Sequence, residues 1–228
     1  MSFLAKVDKF GLASASLEIL TSDEGRAASV AEASNADGDI IAAEVYGEIE
    51  SPSCTYAVKA DSTADIELGG VTTVGTGTAA KYYALTSVTI GTSAGSPPTV
   101  SASGEEVPSA TPSSTYTVED GLTVSKLAIA QIYGGSFTLG GTGCHVTDCN
   151  ATISCDFSAA TKDGARLAWD ISNGRIVVSV TINQTGSTAP TLTAGSGWEI
   201  TSPLTQSNPD SNFPTWTATL TKYLTKDA

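Results

Sequence analysis

The chain has 228 residues, with 11 Lys and Arg against 24 Asp and Glu, a formal net charge of −13 and a pI near 4.2. A field of that sign repels nucleic-acid phosphates and anionic membranes, and the scattered bases, close together only at Lys6/Lys9, Lys162/Arg166 and Lys222/Lys226, form no basic stripe. The length supports a sizeable core without disulfide or metal staples, while a charged fraction of only 15% leaves polar surface for partners.

The N-terminal MSFLAKVDKFGLASASLEIL is broken early by Lys6, Asp8 and Lys9, which predicts neither a signal peptide nor a membrane span. The four cysteines are therefore expected as thiols made in a reducing cytoplasm, and the sequons at Asn150 and Asn183 as silent. The arm from Met1 to Phe10 carries apolar residues with no obvious local partner and is expected to order against neighbouring subunits. In TSDEGRAASVAEA, Thr21 and Glu24 stand three apart as in a capping box with alanines following, which points to a short helix or, because Gly25 weakens it, equally to an ordered loop. Asn35-Ala-Asp37-Gly-Asp39 hints at a calcium loop, but its glycine is fourth rather than sixth and its twelfth residue is Tyr46, so a turn is the simpler reading.

Cys54, in SPSCTYAV, is flanked by strand formers and expected to be buried. Residues 69–80 and 104–115 read as long loops able to reach neighbours. LTSVTIG and PTVSASGEEV flank the turn TSAGSPP as a hairpin, and TYTVEDGLTVSKLAIAQIYGGSFTLGG adds strand punctuated by Asp120-Gly121 and Gly134-Gly135.

The stretch GCHVTDCNATISC, residues 143–155, gathers Cys144, Cys149, Cys155 and the chain's single histidine, His145. Zinc sites present ligand pairs at short, regular spacing, which these residues match poorly. Cys149, Ala151, Ile153, Cys155 and Phe157 share one parity, and Asn150, Thr152, Ser154 and Asp156 the other. That is the binary pattern of a strand whose cysteines serve as small hydrophobes, with a Cys144/Cys149 disulfide or metal as the alternative. A nucleophilic triad would have to rest on His145 alone, and no GxSxG elbow, P-loop or dinucleotide fingerprint is present.

Further on, RLAWDI and RIVVSVTIN flank Asn173-Gly174, the strongest short hairpin signal in the chain. Ile176, Val178, Val180 and Ile182 fall on one face, and in the C-terminal NFPTWTATLTKYL, Trp216, Ala218 and Leu220 oppose Thr217, Thr219, Thr221 and Tyr223. The fold expected is all-β with at most one or two short helices, a β-sandwich or partly open barrel in a single domain spanning 1–228. No catalytic, cofactor-binding or metal-ligating residue is expected.

In layout, LTSVTIGTSAGSPPTVSASGEEV, GCHVTDCNATISCDF with ATKDGARLAWDISNGRIVVSVTI, and WEITSPLTQSNPDSNFPTWTATLTKYL resemble the tail tube (major tail) proteins of long-tailed bacteriophages. The resemblance covers about two thirds of the chain and is one of style rather than of a diagnostic motif. It implies a virion structural protein assembled in the host cytoplasm, whose rings, typically hexameric, share a β-barrel and stack into a conduit for DNA ejection. Its partners would be copies of itself, other tail proteins and passing genomic DNA, with no membrane. An acidic wall would then let the DNA polyanion slide. The alternatives are a capsid decoration or other virion surface β-sandwich, which would have capped edges, and a glycan-acting hydrolase, disfavoured by an aromatic content of 7%.

Overall fold

Strict alternation of apolar and hydroxyl residues produces long antiparallel strands in a computed structural model of the chain. It describes residues 6–34, 37, 40–59, 62–64, 66–93, 98–111, 114–118, 122–124, 137–162, 165–207 and 213–227. In chain order the strands are β1 (Leu17–Asp23), β2 (Arg26–Ser34), β3 (Ile40–Glu50), β4 (Ser53–Val58), β5 (Ser62–Ala64), β6 (Glu67–Leu68), β7 (Val71–Val74), β8 (Lys81–Ser93), β9 (Thr99–Val107), β10 (Tyr116–Thr117), β11 (Leu122–Val124), β12 (Phe137–Gly140), β13 (Cys144–Lys162), β14 (Ala165–Gln184), β15 (Thr191–Ala194), β16 (Glu199–Ser207) and β17 (Thr215–Tyr223). The single helical element among the described residues is a 3-10 turn at Gly77–Ala79, so the fold is all-β as the alternation implies.

The main sheet has nine antiparallel strands in the order β1-β4-β9-β8-β13-β14-β17-β16, with β7 added beside the start of β8. Register places Val88, Ile90, Val100, Ala102, Ala151, Ile153, Ile176, Val178 and Leu220 on one face, each at most 3% exposed. Ile66, Leu68, Tyr116 and Val118, on or beside the β6–β10 pair, are buried in the same core. The β12–β15 pair lays Phe137, Leu139, Leu192 and Ala194 against Val180, Ile182, Ala218 and Leu220. These short pairs form the second layer of a sandwich over one face of the large sheet.

The hairpin expected at Asn173-Gly174 is not one. Both residues lie inside the unbroken strand β14, and the register steps from Ser154↔Arg175 to Asp156↔Ser172, so Cys155 alone faces the Asn-Gly pair. Asn173, at φ 55°, is the one non-glycine residue with positive φ among those described, and Gly174 has no positive φ, whereas a type I′ turn needs both. The same left-handed tolerance of Asn that serves turns here serves a β-bulge. The extra residue also resets parity: Trp169 and Ile171 are buried before it, Ile176 and Val178 after it. Gly174 packs against the Tyr116 ring and its carbonyl accepts from the Leu224 amide at 2.8 Å, which holds the chain in place at this point.

Four further expectations are corrected. TSDEGRAASVAEA forms no helix: it is the end of β1, a turn with Gly25 at φ 56°, and most of β2, because Glu24 is drawn into ion pairs rather than a cap. Residues 69–80 are not a loop awaiting a neighbour. The β-branched run Val71–Val74 pairs with Lys81–Ala84, and Gly69 donates to the Leu85 carbonyl at 2.7 Å. Residues 104–107 complete β9, leaving irregular chain only beyond Val107. Within the N-terminal arm, Lys9 and Phe10 are 4% and 6% exposed, and Asp8 accepts from Tyr56 Oη at 2.8 Å and the Ala13 amide at 2.7 Å, so this part belongs to the body of the protein. Residues 1–5, 94–97, 119–121 and 125–136, with the Asp120-Gly121 and Gly134-Gly135 pairs and much of the strand expected there, and all of 35–39 except Asp37, lie outside the described residues.

Candidate functional site

The 143–155 stretch is the strand its parity predicts. Cys149 and Cys155 are 2% and 9% exposed on the core face of β13 and Cys54 is 1% exposed, while none of the four cysteines is in a disulfide. A register shift at Thr147 lets half-buried Cys144 pack with Val146 near Leu139 and Leu192, its thiol directed at the Thr188 carbonyl 3.7 Å away. His145 is exposed. Burial pushes the Cys149 thiol up to about 11, and burial, with Asp156 adding and Arg175 opposing, does the same to Cys155. Thiols so disposed are poor nucleophiles and poor metal ligands. No group of three or more His, Cys, Asp or Glu gathers as a metal site among the described residues.

Ionised chemistry concentrates elsewhere, at the foot of β2 and β3. These strands pair with each other from Arg26↔Glu50 outward, and β1 and β4 pair from Asp23↔Ser53 inward, so the two pairs are one ribbon with a joint at Glu24-Gly25 and Ser51-Pro52. Across the joint the Ser51 amide donates to the Gly25 carbonyl at 3.1 Å. A Cβ on Gly25 would fall 2.2 Å from the Ser51 carbonyl oxygen, and φ 56° already favours glycine there, so the joint is built on that residue. Beyond it the β2–β3 arm pairs with itself, and among the described residues the body meets it chiefly where β3 nears β9 and β14.

Glu50, 1% exposed, is the centre of the joint. Its carboxylate accepts from Arg26 Nε at 2.9 Å, from Lys81 Nζ at 2.6 Å and from the Tyr83 hydroxyl, while its own amide donates to Glu106 Oε2 at 3.0 Å. Burial alone pushes the Glu50 carboxyl up, but the hydrogen bonds from Lys81 and Tyr83 and the charges of Lys81 and Arg26 outweigh it and hold the group below the usual carboxylate range. Tyr83 is pushed up by burial and by its bond to Glu50. Glu24 bridges Arg26 at 2.7 Å and Lys9 at 3.6 Å, and the Lys9 ammonium lies 5.3 Å from the Tyr83 ring centroid. On the other flank Arg166, from β14, pairs with Glu105 at 2.6 Å and donates to the Glu106 carbonyl. Four of the chain's 11 bases, Lys9, Arg26, Lys81 and Arg166, are thus spent on Glu24, Glu50, Glu105 and Glu106. A network in which each carboxylate is matched by a base orders the backbone around it.

The outward face of the main sheet is the third feature. One row across it runs Thr55, Ser101, Thr89, Thr152, Val177, Thr221, and the next runs Thr99, Gly91, Asn150, Ser179, Thr219. Hydroxyls in the first row meet directly, Thr89 and Thr152 at 3.2 Å, and Thr201 of β16 meets Thr221 at 3.1 Å. Among the described residues, charge enters this face toward its margins, at Glu18 and Asp23 of β1, at Asp148, Asp156 and Arg175, and at Glu199. For a chain of net charge −13, these central strands present an uncharged face paved with hydroxyls.

The sequence signalled the cysteine strand and the hydroxyl parity, but not the ion network, whose members come from residues 9, 24, 26, 50, 81, 83, 105, 106 and 166 and share no spacing. No protein-family model matches the chain, and no curated protein matches it in sequence.

Proposed function

We propose that this chain is a structural subunit that works by assembly, a tail-tube-like component of a phage virion in which copies form rings and the rings stack into a conduit for DNA. The observation that carries the reading is the β2–β3 arm. It is a ribbon continued past the edge of the sheet, its own backbone paired, its root clamped by a buried carboxylate, and, among the described residues, its length engaging little of the body. Such a built-out ribbon is well suited to lie on a neighbouring subunit. The hydroxyl face supports the same reading, because an uncharged polar wall gives a passing polyanion neither strong attraction nor strong repulsion. Acidic residues then act from the margins of that wall, where Asp148 and Glu199 stand.

The test is negative-stain microscopy of the purified protein over a range of concentrations. Hollow rings or tubes of uniform diameter are expected, and replacing residues 28–48 by a tight turn should leave a folded body that no longer stacks. Compact particles at every concentration would overturn the tube.

A second reading is favoured by the sheet edges. β1 is bulged at Leu20 and its Ile19 carbonyl is taken by Lys6 Nζ at 3.2 Å, while β16 carries Pro203 and two register irregularities. Bulges, an edge lysine and an edge proline are the devices that stop strand addition. They suit a capsid decoration or other virion surface module standing as a closed unit. Discrete monomers or trimers in light scattering would select it.

A further inference from the structure

The contacts at the joint close on themselves. Lys9 meets Glu24, Glu24 meets Arg26, Arg26 meets Glu50, Glu50 accepts from the Tyr83 hydroxyl, and the Tyr83 ring lies under Lys9. The circuit spans three parts of the chain that sequence places far apart: the N-terminal segment, the root of the β2–β3 arm, and the start of β8 in the main sheet. Its members differ in kind. Glu50 and Lys9 have side chains 2% and 5% exposed, so each needs its partners, whereas Arg26 and Glu24 are 55% and 52% exposed and can exchange protein contacts for water at little cost. The buried ends are thus joined through an exposed link.

We infer that this circuit is a coupling latch: it holds the arm and the N-terminal segment in one mutual arrangement, so that moving the arm at its joint releases Lys9 and Phe10 from the body, and the reverse. The local chemistry explains why the two must move together. If the arm swings about Gly25 and Ser51, Arg26 leaves Glu24 and Glu50 at once. Glu24, two residues before Arg26 and flanking Gly25, turns with it and leaves Lys9. A buried ammonium without its carboxylate keeps only the Tyr83 ring and is driven toward water. Lys9 precedes Phe10, whose ring sits in the core beside Gly104, and follows Asp8, which holds Tyr56 and the Ala13 amide. Lys81 and Glu106, which also reach Glu50, belong to β8 and β9 and stay with the sheet. They supply the fixed side against which the arm is latched. Coupling of this sort is reciprocal, so whatever orders the N-terminal segment also stiffens the arm.

The latch stands apart from the assembly reading, because it concerns the isolated chain. Its test is amide hydrogen exchange on the full-length monomer at neutral pH, comparing the wild type with Arg26→Gln. Position 26 is 55% exposed, and Lys81 and Tyr83 remain as partners of the buried Glu50 carboxylate in this variant. Exchange of the root amides, Glu50 and Ser51, is expected to rise about tenfold, and the Phe10 and Ala13 amides should rise with them, while β13 and β14 stay unchanged. The converse variant, Lys9→Met, keeps an apolar body at position 9 and should loosen Glu50 and Ser51 from the other end. If Arg26→Gln frees the root amides and leaves Phe10 and Ala13 protected, or if Lys9→Met leaves the root unchanged, the latch is wrong and the contacts are local. Uniform acceleration over β13 and β14 in both variants would equally overturn it, since the network would then be serving global stability.

Discussion

Gly174→Ala isolates the packing that the bulge imposes. A Cβ added at Gly174 would lie 2.5, 2.6 and 2.8 Å from Cδ1, Cγ and Cε1 of Tyr116, closer than carbon atoms approach. Tyr116 is 5% exposed and its backbone is fixed by pairing with Leu68, so the ring has little room to retreat. Overpacking of this kind costs about 1–3 kcal/mol. In a chain of this size each kcal/mol moves the melting midpoint by about 2–4 °C, which gives a loss of about 2–12 °C. Thermal unfolding followed by tryptophan fluorescence reads it, with Trp169, Trp198 and Trp216 as probes, and a urea titration gives the free-energy difference directly. The decisive arm is a double-mutant cycle with Tyr116→Ala. Because the cost lies in the ring and Gly174 has no positive φ, Gly174→Ala should be nearly neutral once the ring is gone. A penalty that persists in the Tyr116→Ala background would place the cost in the backbone, as at a two-residue hairpin turn, and refute the bulge.

Glu50 ionises in the folded state below its ordinary value of 4.5, so its contribution to stability is complete above that pH and is lost as pH falls through the folded value. Glu50→Gln should therefore flatten the acid limb of a stability–pH curve below about pH 4.5, and an unchanged limb would show that other carboxylates set it. In the native protein at pH 8, Cys144 should react with iodoacetamide first and Cys149 and Cys155 only on unfolding; rapid native labelling of either buried thiol, located by peptide mapping, would contradict their placement. Val178→Ala, at a position fully buried between Ala151 and Leu220, should cost about 2–4 kcal/mol, and a urea midpoint shift worth under about 1 kcal/mol would mean the sheet face is not a packed core. His145→Ala, on an exposed side chain, should stay within about 0.5 kcal/mol of the wild type in the same titration.

Where period-2 alternation ran long, the sequence was sufficient. Ile176 to Ile182, Cys149 to Cys155 and Ala218 to Leu220 lie on the side their parity assigns, because a half-buried strand has only two faces to choose between. Local signals misled where a distant partner decided the outcome. Asn173-Gly174 is equally suited to a turn and to a bulge, and Tyr116, Cys155 and Leu224 settle which. Thr21 and Glu24 have capping-box spacing, but Lys9 and Arg26 claim the glutamate. The Val71–Val74 run looked like loop because glycines surround it, although its β-branched residues complete an edge beside β8. The ion network was invisible for the same reason: Glu50 acquires its meaning from Lys81 and Tyr83, 31 and 33 residues away, and nothing near Glu50 in sequence announces them.

The ribbon joint also fixes how the molecule would bear tension. The arm is covalently continuous with β1 and β4, and both strands enter the main sheet at the same end, Asp23 and Ser53. Pulling on the arm along the strands therefore does not peel a single strand from its neighbour rung by rung. It slides the β1–β4 pair against β9, and every rung from Ser53↔Ser103 to Ala57↔Thr99 resists together. A ladder stressed in shear fails in one event at high force, whereas one that is unzipped fails in many events at low force. The clamp on Glu50 lies at the mouth of that ladder, where the pull first arrives.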